Sequence, residues 1–133
     1  QVLQLFDSWA GVLSSEDYDL FAAPYQRKVI EAIKRVHPAV PVILYINRSG
    51  ALLERMASVG VDVLSLDWTV NIDEARERIG DNIGIQGNLD PMLLFAPDET
   101  IISRTQQVLR TGGGRNHIMN LGHGIDAQTS EDK

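Results

Sequence analysis

Short apolar runs alternate along the chain with segments whose apolar residues recur at the helical period. Each run is short, is rich in Val, Ile and Leu, and ends at Gly, Pro, Asn or Asp, as strands buried on both faces of a parallel sheet do. The predicted strands are Val2–Phe6, Val42–Ile46, Val61–Leu66, Asn82–Gln86 and the apolar part of Asn116–Gly124. The pattern therefore predicts a chain in which five strands alternate with helices.

The segments between the runs carry helix signals. From Ser15 to His37 the helical period predicts one helix, or two if Pro24 opens a new first turn. Its stripe is Phe21, Tyr25, Val29, Ile33 and Val36. Ser49 and Asn71 are predicted N-caps, whereas Gly60, Gly80 and Gly112–Gly114 are predicted to end helices. The last helix is predicted to turn Ile101, Ile102, Thr105, Val108 and Leu109 inward.

The alternation implies right-handed crossovers and an all-parallel sheet. Two α/β architectures fit, an open doubly wound sheet or part of a (β/α)8 TIM-type barrel, which needs about 250 residues when complete. The chain starts with Gln1 rather than Met, and Thr129–Asp132 looks like the start of a helix. We therefore expect a piece of a longer chain, with residues 1–133 forming about half of one incomplete barrel domain.

Charge and composition narrow the possible partners. The chain has 18 acidic and 12 basic residues, so its net charge of −6 repels nucleic acid and anionic membranes at long range. It contains no cysteine, which excludes disulfides, thiolate metal ligands and a cysteine nucleophile. It also lacks a His-Glu-x-x-His motif and paired histidines, so we expect no metal site.

Polar residues follow each predicted strand, at the edge where parallel α/β proteins bind ligands. They are Asp7-Ser8, Asn47-Arg48, Asp67-Trp68, Gln86-Asn88-Asp90 and Asn120-His123. His123 is the leading candidate, because imidazole donates or accepts a proton near neutral pH and flanking glycines allow close backbone approach. The sequence therefore predicts a binding site at this edge, with His123 in it.

Other chemistry-bearing residues have structural explanations. His37 closes a helix, where the dipole favours a cation, and His117 begins a strand. Ser8 lacks the Gly-x-Ser-x-Gly turn of a nucleophile, which favours hydrogen bonding. The aromatic rings of Trp9 and Trp68 are equally suited to cover the site or to contact a substrate.

Five strand-end motifs resemble the uroporphyrinogen decarboxylase family, in the family's order. They are Phe6-Asp7-Ser8-Trp9-Ala10-Gly11, Phe21-Ala22-Ala23-Pro24-Tyr25, Leu66-Asp67-Trp68, Gln86-Gly87-Asn88-Leu89-Asp90-Pro91 and Asn120-Leu121-Gly122-His123-Gly124. The resemblance implies the C-terminal part of a cofactor-independent (β/α)8 barrel, usually a homodimer. Such enzymes remove the four acetate carboxyls of uroporphyrinogen III to give coproporphyrinogen III, in the bacterial cytoplasm or plastid stroma.

The resemblance also implies roles for particular residues. Ser8 and His123 match a substrate-binding serine and histidine, and Phe6 matches an aromatic residue of the cleft. Asp67, Trp68, Asn88 and Asp90 match family motifs without an assigned role. The family's carboxylate-binding arginines, its aspartate facing the pyrrole nitrogens and a cleft tyrosine lie outside this chain. No principal catalyst is therefore assigned here, and the isolated chain is expected to be inactive.

Three alternatives remain open at this point. Related barrel methyltransferases use a zinc-bound thiol site built with cysteine, which this chain lacks. The chain is alternatively a non-catalytic fragment or interaction module that pairs with another copy or segment to cover its sheet edges. A nucleotide-binding open sheet is a third class, although no Gly-rich turn leads from a strand into a helix.

Overall fold

The computed structural model describes residues 1–133 and contains five parallel strands with helices between them. The strands are β1 Leu3–Phe6, β2 Val42–Tyr45, β3 Val63–Ser65, β4 Gly84–Gln86 and β5 His117–Ile118. The α-helices are α1 Ser15–Phe21, α2 Ala23–Val36, α3 Leu53–Ala57, α4 Ile72–Ile79 and α5 Asp98–Thr111. Short 3-10 helices span Ala10–Val12, Ser49–Ala51 and Pro91–Phe95. The predicted order of strands and helices is confirmed, with strands shorter than the apolar runs.

The strand order distinguishes between the two predicted architectures. The sheet runs β1-β2-β3-β4-β5, and each neighbouring pair is parallel. A doubly wound sheet reverses its winding at a switch point, whereas a barrel adds every new strand on the same side. The sequential order is therefore that of a (β/α)8 barrel.

The inner face of the sheet shows that it is strongly curved. Gln86 on β4 donates from Nε2 to Gln4 Oε1 on β1 at 3.2 Å, and to Ser65 Oγ at 3.0 Å. In a flat sheet, β1 and β4 would lie about 14 Å apart, three strand spacings of about 4.8 Å. Two glutamines meet across that gap only because the sheet bends toward its inner face, as a barrel wall does.

The hydrophobic core lies between the outer face of the sheet and the helices. Leu44, Leu64 and Ile85 occupy one register across β2, β3 and β4, and all three are inaccessible to solvent. Ile30 of α2 and Met56 of α3 are buried in the same cluster. Burying such side chains stabilises the fold by about 1.5–3 kcal/mol each, so the core fixes the strands whose ends form the site.

The predicted break near Pro24 is confirmed, because α1 ends at Phe21 and α2 has a proline in its first turn. Most of the predicted apolar stripe on these helices faces away from the core, however, because only Ile33 of its five residues packs against the core. Tyr18, Ala22 and Ile30 are buried, whereas the stripe residues Phe21, Tyr25, Val29 and Val36 are exposed. The helical period fixed the type of element, but the side that meets the sheet depends on tertiary packing.

Two further predictions about the helices were wrong. Of the five α5 residues expected to face inward, Ile102 and Leu109 are about half exposed, whereas Ile101, Thr105 and Val108 are partly buried and Val108 packs against the core. Ser49 does not cap an α-helix, since α3 begins at Leu53 and the Ser49 hydroxyl instead donates to Asp67. The signals at Asn71 and at the triple glycine are confirmed as a helix cap and a helix end.

No helix has the length and apolar character needed to cross a bilayer.

The core predicts a contrast between two aliphatic truncations. Leu64→Ala should lower the free energy of unfolding by about 2–5 kcal/mol, because Leu64 is fully buried and truncation leaves a cavity. Ile102→Ala, at a side chain 56% exposed, should change it by less than about 0.5 kcal/mol. Urea unfolding followed by circular dichroism measures both, and equal losses would contradict the assigned core.

Candidate active site

The loop after β5 carries His123 along the end of the neighbouring strand. Leu121 forms a parallel bridge with Leu89, and the Gly122 N–H donates to the Leu89 carbonyl at 2.7 Å. Gly122 is buried against the loop after β3, where an added Cβ would overlap the backbone nitrogen of Trp68. The absence of a side chain at Gly122 therefore allows this close approach, and His123 follows directly.

Four aromatic rings from four strand ends lie in succession across the top of the sheet. The ring centroids of Phe6 and Tyr45 are 6.1 Å apart, those of Tyr45 and His123 are 6.0 Å apart, and those of His123 and Trp68 are 6.0 Å apart. All three contacts are edge-to-face, the geometry favoured by the ring quadrupoles. We call Phe6, Tyr45, His123 and Trp68 the aromatic row.

Tyr45 is the member of the row that sequence analysis missed. It ends β2, is only 6% exposed, and its hydroxyl donates to the Gly122 carbonyl at 3.1 Å. Burial and the nearby Asp67 carboxylate raise the pKa of Tyr45 to about 12, so its hydroxyl stays protonated near neutral pH. Side chains alternate between the two faces of a strand, which is a signal for Tyr45 on the inner face, but Tyr45 belongs to an apolar run and not to the polar residues that follow it.

A cavity of about 250 Å³ opens beside the row at the strand ends. It is lined by Gln4, Phe6, Tyr45, Ser65, Asn120, Leu121, His123 and Gly124. Two of the predicted site residues, Phe6 and His123, thus come together around one space. Ser8 does not line this cavity, and Trp9 is 81% exposed and lies outside it.

Ser8 lies where the loops after β1 and β2 are joined. Its carbonyl accepts from the Asn47 N–H at 3.2 Å, and a Cβ at Gly11 would overlap the Asn47 carbonyl oxygen. The Ser8 hydroxyl forms no hydrogen bond within the chain, and the Asn47 side-chain oxygen is buried without a partner. These contacts fix the backbone at this corner of the structure.

Asp67 organises the loop after β3. Its carboxylate is fully buried and accepts from the Ser49 N–H at 3.0 Å, the Thr69 N–H at 2.8 Å and both neighbouring hydroxyls. Asn88 donates to the carbonyls of Asp67 and Val70, at 2.8 and 2.6 Å. These bonds fix the backbone on both sides of Trp68, so Asp67 and Asn88 support the site rather than line the cavity.

The remaining candidates have structural contacts. Asp90 caps the 3-10 helix Pro91–Phe95 by accepting from the Met92 N–H at 2.9 Å. His117 places Nε2 2.7 Å from the Gly87 carbonyl and joins β5 to the loop after β4. His37 follows the last residue of α2. The contact of His117 agrees with its structural interpretation, and the His37 N–H donates to the Ile33 carbonyl at the end of α2.

The sequential parallel sheet, with its cavity at the carboxyl ends of the strands, defines part of a (β/α)8-barrel protein. The fold comparison agrees. A methyltransferase from Methanosarcina mazei superposes with a TM-score of 0.82, over 97% of this chain and 38% of that chain. Sequence identity is 21%, so this likeness concerns the fold alone.

Sequence comparison identifies the family. The family model for uroporphyrinogen decarboxylase matches residues 1–133. Uroporphyrinogen decarboxylases of Trichodesmium erythraeum and Prochlorococcus marinus are 54% and 56% identical to this chain over 132 residues, or 99% of it. The chain belongs to the uroporphyrinogen decarboxylase family, and it spans 37–38% of the length of these relatives. The cysteine-based methyltransferase alternative is therefore not favoured.

Two glycines around His123 predict opposite responses to alanine. Gly122→Ala should cost about 1–3 kcal/mol of unfolding free energy, because the new methyl meets the backbone of Asp67 and Trp68. Gly124→Ala should change it by less than about 0.5 kcal/mol, since a Cβ there has open space. Urea unfolding compares the two variants, and an equal response would contradict the close packing of the loop against Trp68.

Proposed function

We propose that this chain is the C-terminal part of a uroporphyrinogen decarboxylase, acting in haem and chlorophyll biosynthesis. The observation that carries the proposal is 54% identity over 132 residues to an enzyme of that name, across all five strand ends. The reaction removes four acetate carboxyls from uroporphyrinogen III and gives coproporphyrinogen III. In this proposal residues 1–133 are one incomplete barrel domain.

The proposed decarboxylation requires substrate binding and proton transfer from the protein, and it does not require a cofactor. Loss of CO2 leaves an electron pair, and a pyrrole ring protonated at its α-carbon accepts it. A site for this reaction must hold carboxylates and stabilise a cationic intermediate. Neutral hydrogen-bonding groups beside aromatic faces, as in the cavity at the strand ends, suit the ring and side chains of a tetrapyrrole.

Three residues are proposed to bind the substrate. His123 hydrogen-bonds a substrate carboxylate, and its place between Tyr45 and Trp68 supports a defined ring orientation. Phe6, 68% exposed at the cavity, packs against a pyrrole ring. Ser8 donates its free hydroxyl to a second carboxylate at the rim. The principal acid is proposed to come from residues outside this chain.

The proposal also covers the oligomeric state and the cellular compartment of the enzyme. The enzyme acts as a homodimer in the bacterial cytoplasm or the plastid stroma, with the tetrapyrrole as its small-molecule partner.

A chimera tests the proposed activity. We replace the matching 132 residues of the Trichodesmium erythraeum relative with this chain and assay coproporphyrinogen formation. The chimera should turn over uroporphyrinogen III, whereas the isolated chain should not, because it supplies only one side of the site. A folded chimera without activity, or turnover by the isolated chain, would contradict the proposal.

The role of His123 is tested in the same chimera. His123→Ala should lower kcat/KM roughly 10- to 100-fold, the loss expected when a hydrogen bond to a charged group worth about 1.5–3 kcal/mol is removed. His37→Ala is the matched control, because that histidine is exposed at the end of α2. An undiminished kcat/KM in His123→Ala would remove His123 from the proposed site.

A further inference from the structure

His123 is held in place by few interactions of its own. Its ring forms no hydrogen bond within the chain, and nearly all of residues 123–133 are exposed and lie outside any helix or strand. Its side chain has edge contacts with the rings of Tyr45 and Trp68. The orientation of His123 therefore depends on the backbone that precedes it and on these two rings.

Tyr45 contacts both the backbone that precedes His123 and the His123 ring itself. Its hydroxyl donates to the Gly122 carbonyl at 3.1 Å, one peptide unit before His123, and its ring packs edge-on against the imidazole. We propose that Tyr45 is a positioning residue that fixes the backbone and ring of His123 for substrate binding. This inference rests on the proposed function for the role of His123, but the contact itself does not.

The hydroxyl of Tyr45 matters separately from its ring. Gly122 is buried, and its carbonyl accepts a single hydrogen bond, which comes from the Tyr45 hydroxyl. A phenylalanine at this position would keep the edge contacts with Phe6 and His123 but would leave that carbonyl unsatisfied. A buried polar group without a partner favours conformations that expose it to water, so the loop would open more often.

A direct role in proton transfer fits Tyr45 less well. The raised pKa makes its hydroxyl a poor proton donor near neutral pH, and the proton is already directed at the Gly122 carbonyl. Positioning uses the hydroxyl as it is found, as a permanent hydrogen-bond donor. The effect of Tyr45 should therefore pass through His123.

A double-mutant cycle in the chimera tests that dependence. Tyr45→Phe should lower kcat/KM roughly five- to tenfold when His123 is present, and by less than about twofold in the His123→Ala background. Tyr18→Phe is the matched control, since Tyr18 is buried and donates to Gln26 at 2.5 Å, away from His123. Any effect of that control should be the same in both backgrounds. Equal losses from Tyr45→Phe in both backgrounds, or no loss, would overturn the proposal.

Hydrogen exchange of the chimera supplies a readout that does not require activity. The Gly122 amide, bonded to the Leu89 carbonyl, should exchange roughly five- to tenfold faster in Tyr45→Phe and at the parent rate in Tyr18→Phe. Unchanged exchange at Gly122 would overturn the positioning role. An inactive parent chimera with faster exchange would count against the proposed function while supporting the contact.

Discussion

The inward bend of the parallel sheet is the constraint on which the rest of the structure depends. It brings Gln86 on β4 within hydrogen-bonding distance of Gln4 on β1, although two strands lie between them. The same bend brings the strand ends toward one another. Rings at the ends of four different strands can then lie within about 6 Å of their neighbours, and three of them, Phe6, Tyr45 and His123, line one cavity.

The loops above the sheet are held by bonds that leave the candidate ligand groups free. Asp67 is buried but is satisfied by the N–H and hydroxyl groups of Ser49 and Thr69. Asn88 fixes the same loop through two carbonyls. The hydroxyl of Ser8 and the imidazole of His123 form no hydrogen bond within the chain. This division between supporting and free polar groups is what a preorganised binding site requires.

The sequence predicted those features that depend on local patterns. Apolar runs predicted the strands, and the signals at Asn71 and Gly112 predicted helix ends, because both arise from neighbouring residues. The motifs at Phe6 and His123 also predicted two residues that share the cavity. Strand order was not predictable in this way, since the same alternation suits a doubly wound sheet and a barrel.

The wrong predictions concern features that depend on tertiary contacts, namely which side chains are buried and which partners they bond. Ile102 has the helical period of a buried residue and is nevertheless exposed, because period does not say which face meets the sheet. Ser49 has the sequence context of a helix N-cap, but its hydroxyl donates to the buried carboxylate of Asp67, 18 residues later in the chain. Tyr45 was not predicted as a site residue because it belongs to an apolar run. Its hydroxyl donates to the Gly122 carbonyl, 77 residues later in the chain. Family membership indicates the class of reaction, but only the three-dimensional structure connects Tyr45 to His123.

The most direct test of the account is a crystal structure of the chimera with coproporphyrinogen III bound. The account predicts the tetrapyrrole in the cavity at the strand ends, with a carboxylate within about 3.2 Å of the His123 imidazole and a pyrrole ring against Phe6. A product bound elsewhere, with His123 free of contact, would contradict it.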